Sequence, residues 1–149
     1  MVLVVGIGNT LRRDDGAGWI FAEALAAELA HAGMEVTLEL HHQLTPEVAL
    51  SAAEMQPTAV VFVDASAAVA SPVITRLVED AGSSAASHHL SPVTCLAILD
   101  KLYGVQVEGW LVQTPAEDFG HGEGLSEIAQ RGVDEAPAMA ATLCKLMTT

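Results

Sequence analysis

The sequence predicts an α/β fold: a single three-layer αβα domain with a mostly parallel, twisted, five-stranded sheet. Three observations carry that expectation. Short apolar runs alternate with longer stretches of helical apolar spacing, in the order βαβαβ and then β, α, β, α. The run Ala59–Val63 (AVVFV) is apolar at every position, as a strand buried on both faces must be. Val2–Val5 runs straight into Gly6-Ile7-Gly8-Asn9, the kind of strand-to-loop junction where open α/β folds build ligand sites.

Each element has its own signal. Val2–Val5 is the first strand. Gly16 to about His31 places Trp19, Ile20, Leu25 and Leu29 at helical spacing and closes at Ala32-Gly33. Glu35–Leu40 alternates, with Val36, Leu38 and Leu40 on one face, and reads as a more exposed strand. Thr45-Pro46-Glu47 starts a helix to about Met55, with Thr45 as N-cap and Pro46 at the first helical position. Ala59–Val63 is a central parallel strand ending at Asp64. Val73–Val78 alternates weakly as a further strand, and Gly82–Ser87 is small and polar. Ser91 caps a helix through Val93–Leu102, Trp110–Gln113 is the last strand, and Ser126–Met147 is helical with a kink or split at Pro137. No repeat, low-complexity tract or linker divides the 149 residues, so one domain is expected over 1–149.

Composition excludes several functions. Hydrophobic residues make up 51% of the chain and charged residues 17%, which is far from a disordered composition. No apolar run approaches the roughly 20 residues needed to span a bilayer. The N-terminal run is too short for a signal peptide and has no basic region before it. A cytoplasmic protein without membrane insertion is expected. Six Lys and Arg stand against 19 Asp and Glu, a net charge of −13, with no basic cluster, so nucleic acid is not an expected partner. Cys95 and Cys144 sit in apolar helical patterns and read as buried thiols of a reducing compartment.

The chemistry-bearing residues gather at loop positions. Gly6 and Gly8 either permit a tight strand-to-helix turn or face a ligand. Leu11 stands where the third glycine of a dinucleotide fingerprint would fall. Asp14 and Asp15 lie at a helix start, where one acid suits the helix dipole and two repel without a cation or solvent between them. Asp64 ends a central strand, on the edge that carries the crevice of doubly wound sheets. With Asp15 and Asp64 at that edge, one of His88 and His89 completes two carboxylates and one imidazole. Such a set suits a borderline divalent ion such as zinc or nickel, with positions open for substrate. His41, His42 and His121 have weaker claims. No nucleophile elbow, H-E-x-x-H helix or GK[ST] loop is present.

These residues together resemble a known family, the hydrogenase maturation endopeptidases. GIGNTLRRDDGAG is similar to that family's opening G-[IV]-G-N-x-L-x-x-D-[DE]-G-x-G. The likeness continues in order through QLTPEVA, VFVDAS, SHHLSPVTCLAILDKLYG and EDFGHGEGLSE, over nearly the whole chain. The resemblance implies a five-stranded sheet between helices, and removal of a C-terminal extension from a nickel-loaded [NiFe] hydrogenase large-subunit precursor. It implies Asp15, Asp64 and His88 as the catalytic and metal-contacting residues, with His89 the alternative for the third place. The implied metal is nickel carried by the substrate, and zinc or a similar ion can occupy the same positions. Asp14 is expected to orient loop or substrate rather than to act as a base. Two readings from other classes remain open: a non-catalytic nickel-sensing chaperone of the precursor, and a small-ligand or nucleotide-binding doubly wound domain.

Overall fold

Val2–Ile7 (β1), Val36–His41 (β2), Ala59–Ser66 (β3), Val73–Leu77 (β4) and Glu108–Pro115 (β5) form one sheet in the order β2-β1-β3-β5-β4. The structure, a computed structural model, describes residues 1–78 and 90–147. β1 pairs in parallel with β2 and β3, and β3 with β5, while β4 runs antiparallel along the outer side of β5. The expected α/β architecture with a mostly parallel five-stranded sheet is the one observed.

Alternate side chains of the central strands feed two cores. Val2 and Val4 of β1, with Val61 and Val63 of β3, pack under Ala17–His31 (α1), Glu127–Val133 (α4) and Ala136–Met147 (α5). Leu3 and Val5, with Val60 and Phe62, pack under Pro46–Met55 (α2) and Pro92–Tyr103 (α3). Burial on both faces explains why β1 and β3 are apolar at successive positions. Each fully buried Leu or Phe, such as Leu25, Leu99 and Phe62, contributes roughly 1.5–3 kcal/mol.

Several boundaries differ from the sequence expectation for local reasons. Ser91 accepts a hydrogen bond from the Thr94 backbone N–H at 3.2 Å, as a cap should. Thr45 has the extended backbone of an N-cap, but its hydroxyl donates to the Glu47 carboxylate at 3.1 Å instead of capping a backbone N–H. β3 continues past Val63 because its pairing with β5 runs on from Asp64↔Gln113 to Ser66↔Pro115. Asp64 therefore sits within the strand rather than after it. Pro137 splits the last helix into two: it occupies the first turn of α5, where its missing N–H costs nothing. Cys95 is buried and Cys144 partly so. Among the described residues no helix is long and apolar enough to cross a membrane.

Candidate functional site

The chain leaves β1 for β2 on one side and later returns to β3 on the other, so β1 and β3 flank the point where strand order reverses. In open α/β sheets the crevice beyond the carboxyl ends of such strands is the ligand position. Asp15 reaches this edge from a 3-10 turn, Arg13–Gly16, that follows β1, and Asp64 reaches it from the end of β3.

Glycine lets the turn and α1 lie against β1. Gly8 has φ +154°, and a Cβ there would collide with the Asp15 carbonyl oxygen. On Gly18 a Cβ would strike the carbonyl oxygen of Ile7. The glycine loop thus serves close backbone approach, the first of the two readings the sequence left open.

The two adjacent aspartates have separate tasks. Asp14 is fully buried. Its Oδ2 accepts from the backbone N–H groups of Glu117 (2.9 Å) and Asp118 (3.0 Å) and from the Ser126 hydroxyl (2.6 Å), while Oδ1 accepts from Ser126 N–H (2.7 Å). Burial alone would raise its pKa, but the hydrogen bonds from Ser126, Glu117 and Asp118 outweigh it and hold Asp14 below the usual carboxylate value. Ser126 also caps α4, accepting from Ala129 N–H at 3.4 Å. Asp14 is a clamp between the 3-10 turn and the 117–126 loop, in line with the orienting part expected for it.

Asp15 is half-buried and lies close enough to Asp64 for its charge to act on it. Burial pushes Asp64 up to about 6, a hydrogen bond from the Ala65 backbone pulls against this, and the charge of Asp15 adds to the rise. Two carboxylates that repel each other in a partly dry crevice form a position that a cation would relieve. His88 and His89, the candidates for the third place, lie outside the described residues. Among the described residues no three His, Cys, Asp or Glu side chains converge on a metal-sized position.

The other histidines take structural parts. The His41 carbonyl accepts from Gly8 N–H (3.0 Å) and from Trp19 Nε1 (2.9 Å), tying β2 to the glycine loop and α1. Its ring contacts Glu39 at 2.9 Å, and Glu39 also accepts from the Ser51 hydroxyl at 2.6 Å. His42 stacks on Trp19 with centroids 5.3 Å apart. His121 is exposed in the 117–126 loop, beside Gly122.

No family model and no curated protein matches the sequence. Solved structures do match. The [NiFe] hydrogenase maturation protease HybD from Thermococcus kodakarensis is 25% identical, over 95% of this chain and 97% of that chain, with a TM-score of 0.64. The hydrogenase maturating endopeptidase HybD from E. coli is 20% identical, over 97% and 92% of the two chains, with a TM-score of 0.71. The fold is that of the hydrogenase maturation proteases. HycI from Thermococcus kodakarensis, also named a [NiFe] hydrogenase maturation protease, is 23% identical, over 99% of this chain and 92% of that chain, with a TM-score of 0.64. In each of the three cases the alignment spans 92% or more of both chains.

Proposed function

We propose that this chain is an endopeptidase that removes the C-terminal extension of a nickel-loaded [NiFe] hydrogenase large-subunit precursor, working in the cytoplasm. The observation that carries the reading is the Asp15–Asp64 pair at the strand-order reversal of a maturation protease fold. Asp15 and Asp64, with His88 as third contact, receive the nickel that the precursor brings, and the ion registers the scissile bond against them. Asp64, although raised to about 6, is ionised at neutral pH and ready for a cation. A divalent ion held by Asp15 and Asp64 would supply Lewis-acid activation of water for the hydrolysis. Zinc or a similar ion suits the same donors. The chain's own contribution is to aim: Asp14 fixes the turn carrying Asp15, and β3 fixes Asp64.

Intact mass measurement of a large-subunit precursor, with and without nickel, after incubation with the protein tests this. Loss of a discrete C-terminal peptide from the nickel-loaded form alone is expected, and Asp15→Asn and Asp64→Asn should each abolish it. His88→Ala should be far more damaging than His89→Ala. A stable nickel-dependent complex without cleavage would make the protein a chaperone instead. Neither cleavage nor binding would return the fold to small-ligand chemistry.

A further inference from the structure

The segment leading into Asp15 is fixed on every side. Leu11 N–H donates to Asn9 Oδ1 (2.9 Å) and Arg12 N–H to the Asn9 carbonyl (3.0 Å). Gly122 N–H donates to the Leu11 carbonyl and Arg13 N–H to the Gly122 carbonyl, both at 2.9 Å, and Asp15 N–H donates to the Arg12 carbonyl at 3.0 Å. Arg13 adopts φ +44°, a left-handed conformation uncommon outside glycine that persists only where surroundings enforce it.

This rigid turn holds two side chains out to solvent. Leu11 is 61% exposed. The Arg12 guanidinium is exposed and has no hydrogen-bond or ion-pair partner among the described residues, whereas that of Arg13 meets Asp118 at 3.6 Å. Single exposed leucines are ordinary. Leu11 differs in that its backbone is ordered in advance, so a partner burying it meets little further entropy cost. On a chain of net charge −13, the uncommitted guanidinium of Arg12 marks a spot complementary to an acid rather than a base. It stands one turn from Asp15.

We propose that Leu11 and Arg12 form the ridge on which the protein substrate docks, Leu11 entering an apolar recess and Arg12 meeting a carboxylate beside it. The inference rests on the protease reading above, since it is the substrate's body that must pass this ridge for a peptide bond to reach Asp15 and Asp64.

Steady-state cleavage of the nickel-loaded precursor by Leu11→Ser, Arg12→Glu and Leu102→Ser decides it. Leu102 is 72% exposed on the last turn of α3, at the opposite edge of the sheet, and serves as control. Leu11→Ser and Arg12→Glu should each raise KM about tenfold or more, within the range of interface anchors, with kcat and Tm unchanged. Leu102→Ser should leave KM alone. The wild-type KM should rise with salt, and Arg12→Glu should flatten that rise. Wild-type KM in both ridge variants, or a loss confined to kcat, would overturn the ridge and leave the protease standing. An equal effect of Leu102→Ser would overturn it too. A wild-type protein that cleaves nothing would bring down the protease reading and the ridge with it.

Discussion

Asp14 accepts four hydrogen bonds without solvent exposure, while its neighbour Asp15 stays half-exposed and coupled to Asp64. The difference follows from donors. All four groups that meet Asp14 donate, so Asp14→Asn would aim an amide N–H₂ at N–H and O–H groups. A loss of about 2–4 kcal/mol is expected, a fall in Tm on the order of 5–15 °C for a chain of this size, measurable by calorimetry. Because its folded pKa lies below the usual 3.8, the stabilisation from Asp14 is complete above that value and fades as pH falls below it. Asp64 has the opposite sign. Its folded pKa of about 6 lies above 3.8, so its favourable contribution is present below 3.8 and is lost as pH rises towards 6. Allowing for solvent screening, Asp64→Asn should gain about 1 kcal/mol at pH 7 and nothing below pH 4. Thermal melts at the two pH values check this, and a candidate active-site acid that costs stability fits the usual trade-off.

The elements were legible where a single stretch of chain decides its own structure. Ala59–Val63 had to be a buried strand, and Ser91-Pro92 opened a helix as its chemistry dictates. Legibility failed where a partner intervened: Glu47 took the Thr45 hydroxyl, and β5 carried β3 on to Ser66. The close seat of α1 on β1 is another such case, since nothing in GAGW announces that Gly18 faces the Ile7 carbonyl. Gly18→Ala should lift the start of α1, at about 1–3 kcal/mol of overpacking, or on the order of 3–10 °C in Tm. Because α1 follows directly on the turn that holds Asp15, precursor cleavage should fall by more than the unfolded fraction explains. Activity in step with folding alone would separate the helix seat from the candidate site.

For the whole molecule, 19 acids meet few opposing charges. Among the described residues Arg13 pairs with Asp118 (3.6 Å) and Arg76 with Glu108 (4.0 Å), and six Lys and Arg in all leave most of the negative charge uncompensated. Self-repulsion should therefore weaken the fold at low ionic strength. Tm should rise as salt goes from about 0.01 to 0.15 M and the screening length shrinks from roughly 30 to 8 Å; a flat response would show that the acids are already compensated. The pairing of Asp15 with Asp64 was legible, because both belong to the carboxyl edge of the sheet at the strand reversal. The Asp14 clamp was legible only as an orienting role, since its partners stand 103 to 112 residues further along the chain. That separation has a consequence for biosynthesis. A nascent chain emerging from the ribosome carries Asp14 and Asp15 early, but the anchor of their turn arrives only with Ser126. Until Ser126 has been made, the turn bearing Asp15 has only its local hydrogen bonds to Asn9 and Arg12, and the growing chain is without the long-range anchor of its candidate site.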